Sequence, residues 1–218
     1  MEKGIFQQFV EWVIHHGGLY VLVLIVFSET GLFLGFFLPG DSLLFAAGIY
    51  IDELAANFHH VHYFVIIIMV IAGSFTGSMV GYWFGYQTGP QMFKWKDRFL
   101  YKRKYLIKAK DFYEHYGRST VFLSKFLPII RTFAPLFAGI VQMPKWVFTL
   151  YNIAGSICWV LVMILSGLFL QSLILKKFGY SLKDHIEAIT IVIILITTLP
   201  ILYKLFLSKK AKEGNVEK

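Results

Sequence analysis

A run of fifteen residues from Lys125 to Gly139, KFLPIIRTFAPLFAG, places two cations and two prolines in an otherwise apolar stretch. A cation at mid-bilayer depth costs about 2.5–3.5 kcal/mol on insertion scales, so such a group faces protein or a water-filled cavity and takes a partner. Pro128 and Pro135 each lack a backbone N–H, and lipid supplies no substitute hydrogen bond. Non-helical backbone of this kind belongs inside protein. The run therefore predicts one arm, a turn and a second arm of a re-entrant hairpin that lines a polar cavity.

Composition supplies the membrane that this reading needs. Hydrophobic residues make up 57% of the chain, charged residues 16%, and the mean hydropathy of +0.63 lies far outside the soluble globular range. A chain of 218 residues holds a handful of spans, and no stretch is long and polar enough to fold as a separate soluble domain. The net charge of +8 is concentrated at 94–118 and 208–218, as expected of cytoplasmic loops beside anionic lipid, and no nucleic-acid partner is expected. Cys158 is the single cysteine, which excludes intramolecular disulfides and a cysteine-based metal site. With Lys3 alone near the start and no small-residue cleavage site after an apolar core, no cleaved signal peptide is expected.

In chain order, residues 1–18 carry Phe6, Phe9 and Trp12 among polar groups and suit an interfacial amphipathic helix. Residues 19–50 are too long for one span and are broken by Pro39 and Gly40, which predicts a first hairpin with Glu29 in one arm and Asp41 just after the turn. The 51–62 link has acids but no Lys or Arg and falls on the non-cytoplasmic side. Residues 63–89 form a span in which Gly73, Gly77, Gly81, Gly85 and Gly89 recur every four residues, a ridge that a second helix can approach closely. The basic loop at 90–118 interleaves Trp95, Phe99, Tyr101 and Tyr105 with its cations, as helices in the headgroup zone do. A second hairpin at 119–144, a span at 146–171, a polar link at 172–187, a last span at 188–207 and a basic tail complete the order.

Parity orients these pieces. If the 94–118 loop and the tail are both cytoplasmic, an even number of crossings separates them, so the second hairpin enters and leaves on one side. An internal echo supports opposed hairpins: Phe37-Leu38-Pro39 with Leu44-Phe45-Ala46-Ala47-Gly48-Ile49 resembles Phe126-Leu127-Pro128 with Leu136-Phe137-Ala138-Gly139-Ile140. The architecture expected is all-α: a polytopic membrane protein of two opposed re-entrant hairpins and three long transmembrane helices in an inverted-repeat arrangement. Residues 19–207 form its single transmembrane domain, and 208–218 its cytoplasmic tail.

Four ionised groups isolated in a bilayer cost on the order of 10 kcal/mol or more, so Glu29 and Asp41 are expected to neutralise Lys125 and Arg131. On a regular helix the two cations lie about 240° apart. The break at Pro128 lets them converge. A structural clasp between hairpins and a functional site both fit. In the functional reading, Arg131 grips a phosphate through its planar fork, Lys125 adds a point charge, and a carboxyl released from its cation takes up a proton. His59, His60 and His62 lack a carboxylate at helical spacing, no nucleotide-binding loop or hydrolase elbow is present, and no catalytic residue, metal or cofactor is expected.

Glu29, Pro39-Gly40-Asp41, Ala47-Gly48, Lys125-x-x-Pro128-x-x-Arg131 and Ala138-Gly139 together resemble the DedA family, also called the SNARE-associated or VTT-domain family, over roughly residues 17–167. In that family an acid pair twelve positions apart accompanies two basic residues six apart. Lys125 stands where an arginine is usual, and Ser78 where similar proteins often have an acid. The resemblance implies a bacterial inner-membrane protein, not an enzyme, that transports a phosphate-bearing lipid such as undecaprenyl phosphate, with protons as the coupling partner. An uncoupled phospholipid scramblase, a proton-coupled exporter of small ions or cationic compounds, and a non-transporting assembly or signalling scaffold are the alternatives. A homo-oligomer is compatible with the glycine ridge.

Overall fold

The computed structural model describes residues 8, 12, 18–32, 40–58, 61–92, 119–179, 181, 182, 189 and 192. Most of the expected interfacial segment, Pro39, His59 and His60, the basic loop at 94–118, most of the last span and the whole tail lie outside the described residues. The described chain is helical: α1 (Gly18–Gly31), α2 (Gly40–Ile49), α3 (Ile51–Asn57), α4 (Tyr63–Met92), α5 (Ser119–Ser124), α6 (Pro128–Ile140) and α7 (Lys145–Phe178).

Two of these helices are long and apolar enough to cross a bilayer, over Tyr63–Pro90 with mean hydropathy 2.1 and Lys145–Phe178 with mean hydropathy 2.4. At 1.5 Å per residue each exceeds a hydrocarbon core of about 30 Å. Their outer faces expose Phe64, Trp83 and Phe84 on α4, and Leu150, Val162 and Phe169 on α7. Continuous apolar faces of this kind belong against lipid. Helix α7 runs past the expected end at residue 171, because Lys176 and Lys177 sit in its last turn, where the helix dipole favours cations, and the left-handed Gly179 caps it. The 51–62 link also departs from expectation by forming α3.

The five ridge glycines pack inside this chain. A Cβ on Gly73 or Gly77 would run into α1, at Val23 Cγ1 and the Phe27 carbonyl, and one on Gly85 or Gly89 would run into α6, at the Leu136 and Ile140 carbonyls. Helix α4 is therefore the spine on which α1 and α6 both rest at backbone contact. The sequence echo has a matching explanation. Gly48 of α2 meets the backbone of Ile164 on α7, with Gly167 against Phe45, while Gly139 of α6 meets the backbone of Tyr82 on α4, with Gly85 against Leu136. In both places a short helix thus sets a glycine against a glycine of a long helix.

Pro128 opens α6 at its first turn, where its missing N–H costs nothing, and the turn falls at 125–127. Pro135 is not at a turn, contrary to expectation; it lies within α6, and a Cβ on Gly81 would be 3.5 Å from the Pro135 Cβ. The small residue on α4 leaves room for the ring.

Two apolar clusters form the interior. One joins Leu22, Leu44, Leu54, Val70, Trp159 and Ile164; the other joins Tyr82, Val121, Ala138, Val147 and Phe148. Along α4, Ser74 and Ser78 lie between the two, as do Asn152 and Ser156 along α7. The C-terminal end of α1, the N-terminal end of α2 and the break between α5 and α6 bring their charged residues to this polar layer.

Candidate functional site

All four charged residues singled out in the sequence are buried: Arg131 is 1% exposed, Lys125 2%, Glu29 4% and Asp41 8%. Their pairing differs from expectation. Both carboxylates go to Arg131, whose Nη1 donates to Asp41 Oδ1 at 2.6 Å and whose Nη2 donates to Glu29 Oε1. The clasp sets one guanidinium between two acids, and each acid gives it one hydrogen-bonded oxygen. The backbone at Gly40 lies close against the Glu29 carboxylate. This approach explains the glycine, since a Cβ there would run into Glu29 Oε2. Both acids thus sit beside the N-terminal end of α2, where the helix dipole favours negative charge.

Trp159 is part of the clasp, although sequence reasoning did not single it out. Its Nε1 donates to Asp41 Oδ1 at 2.9 Å, and the Arg131 guanidinium carbon lies 4.2 Å from its ring centroid. One indole therefore orients the acid with its edge and holds the cation on its face. Among the described residues the buried Arg131 Nε has no acceptor.

Lys125 has no carboxylate within ion-pair distance among the described residues. Its ammonium donates to Ser78 Oγ at 2.8 Å and Ser74 Oγ at 3.1 Å, and it lies 3.5 Å from the Ser74 carbonyl. The physical reason is placement. Lys125 lies in the turn after α5 and enters between α4 and α7, beside two serines one helical turn apart, whereas Arg131 lies on the first turn of α6 toward α1 and α2. The stem of Lys125 crosses Gly155 of α7, where a Cβ would stand 3.0 Å from its Cγ.

Beside the clasp, an apolar groove of about 170 Å³ opens between α1, α4 and α6, lined by Leu32, Val80, Phe84, Leu136 and the Thr132 next to Arg131. Leu32, Val80 and Phe84 are themselves exposed. The groove thus connects the outer apolar surface with the neighbourhood of the charged layer.

Fold and site together define a helical membrane protein built around buried ionic groups at helix ends. Comparison with known proteins identifies the family. The chain belongs to the VTT-domain (DedA) family: the VTT domain matches residues 38–169. The chain is 36% identical over 191 residues to Protein DedA of Escherichia coli (strain K12), covering 88% of this chain and 83% of that protein. It is 34% identical over 181 residues to an uncharacterized membrane protein of Mycobacterium tuberculosis (strain H37Rv), covering 83% and 75%. Inner membrane protein YqjA of Escherichia coli (strain K12) is 28% identical over 154 residues, covering 69% and 66%. No solved structure matches the chain.

Proposed function

We propose that this protein is a transporter that moves a phosphate-bearing lipid, with undecaprenyl phosphate as the preferred substrate, between leaflets of a bacterial inner membrane, coupled to protons. The observation that carries the reading is the Arg131 clasp: a buried cation held by two acids from different helices, all three at helix ends rather than on continuous helix faces. Groups so placed separate when the short helices move, which a purely structural ion pair does not require.

In this reading α1–α2 and α5–α6 are opposed re-entrant hairpins related as an inverted repeat, and a third transmembrane helix follows α7. A phosphate approaches the two cations, Lys125 with no ion pair among the described residues and Arg131 through Nε. The groove beside Thr132 takes the lipid tail, which favours a lipid over a small ion. As the phosphate draws on Arg131, Glu29 or Asp41 loses its partner and takes a proton.

Leaflet redistribution of fluorescent undecaprenyl phosphate and phosphatidylethanolamine in vesicles tests this, with wild type and Arg131→Ala, with and without a pH gradient. Selective, gradient-sensitive movement of undecaprenyl phosphate that the substitution abolishes is the expected result. Equal movement of both lipids without a gradient indicates an uncoupled scramblase. Movement of neither by folded protein overturns lipid transport and points to the ion exporter or to a non-transporting scaffold.

A further inference from the structure

The polar layer holds a second site besides the clasp, and its hydrogen bonds run in one direction. Lys125 donates to Ser74 Oγ, Ser74 Oγ donates to Ser156 Oγ at 3.3 Å, Ser156 Oγ donates to Asn152 Oδ1 at 3.4 Å, and Asn152 Nδ2 donates to the Phe75 carbonyl at 3.1 Å. This relay commits the protons of Ser74 and Ser156. Ser78 is different. It accepts from Lys125 at 2.8 Å, is 0% exposed, and its own hydroxyl proton has no acceptor among the described residues. A buried ammonium that pairs with no acid among the described residues and a buried hydroxyl with an uncommitted proton form a pair of donors for one acceptor. The acceptor that satisfies both charge and hydrogen bonding is an oxyanion.

We propose that Lys125, Ser78 and Ser74 form an oxyanion station that holds a phosphate group, with the Lys125 ammonium and the Ser78 hydroxyl as its donors. Ser156 and Asn152 are positioning residues that fix the rotamer of Ser74 and hence the direction of the lysine. The station deepens the transport reading and rests on it for the identity of the phosphate as a lipid headgroup. Its chemistry is shared with free phosphate. It also divides the labour between the cations: Lys125 holds the phosphate in the station, and Arg131, drawn on through Nε, releases its acids.

The test is calorimetric titration of the full chain in detergent micelles with dodecyl phosphate and, separately, inorganic phosphate, with thermal melts as a control for folding. Wild type is expected to bind dodecyl phosphate, and Ser78→Ala to bind it about tenfold more weakly, as loss of a hydrogen bond to a charged group predicts. Ser78→Asp supplies the ammonium with a carboxylate and is expected to abolish binding in a folded protein. Equal affinity for inorganic phosphate supports the station and makes free phosphate its ligand. Unchanged binding by Ser78→Asp overturns the station while leaving lipid transport standing. Binding of neither probe by wild type overturns both.

Discussion

Arg131 and Lys125 stand on either side of one chain break, equally hidden from solvent, yet the protein treats their charges in opposite ways. Arg131 is held by Glu29, Asp41 and the face of Trp159, whereas Lys125 rests on hydroxyls and a carbonyl. Their side-chain chemistry fits this division. A planar, permanently charged fork spans two acids from two helices at once; a compact ammonium on a flexible stem fits among serines and exchanges one acceptor for another. The difference teaches that a buried basic residue in this layer serves two ends, joining α1, α2 and α6 at one point and resting among exchangeable hydroxyl partners at the other.

The largest effect that sharpens the comparison is on stability. Arg131→Ala leaves two acids buried without their cation and is expected to cost about 3–5 kcal/mol, read from the denaturant midpoint in detergent. Lys125→Met removes a charge that has no opposite partner nearby and fills its space with an apolar chain, so its midpoint is expected to stay at or above the wild-type value. Equal losses for the two would erase the distinction. Next in size is Trp159→Phe, which keeps a ring under Arg131 but removes the bond to Asp41. About 1.5–3 kcal/mol is expected, and a double-mutant cycle with Asp41→Ala should recover most of it as coupling. Gly40→Ala forces the Glu29 carboxylate aside at about 1–3 kcal/mol, and that loss should shrink when Glu29→Ala is combined with it. The smallest effect is expected of Ser156→Ala, about 0.5–1.5 kcal/mol, with no coupling to Glu29 or Asp41 because it acts only on the lysine side.

The ionic residues were legible in the sequence because charges and prolines are costly in apolar surroundings and so announce themselves. The glycine ridge was legible too, as a close-packing surface, but only the structure shows that α1 and α6 share it. Which acid meets which cation was not legible, since six residues of separation across a break leave the direction of each side chain open. Trp159 was hidden among the apolar residues of a long helix. A signal did exist: Asn152, Ser156 and Trp159 fall at intervals of four and three, so α7 carries one polar edge, as Ser74 and Ser78 give α4. Pro135 misled because a proline inside a helix reads in sequence as a break, and the small neighbour that accommodates it, Gly81, is distant in the chain.

The central claim is that Lys125, held among serines rather than by an acid, takes the phosphate that then draws on the clasped Arg131. Its most direct test is leaflet redistribution of undecaprenyl phosphate by Lys125→Met reconstituted in vesicles, with the melting temperature taken on the same preparation. Loss of movement at undiminished stability is the predicted result. Movement at the wild-type rate would contradict it.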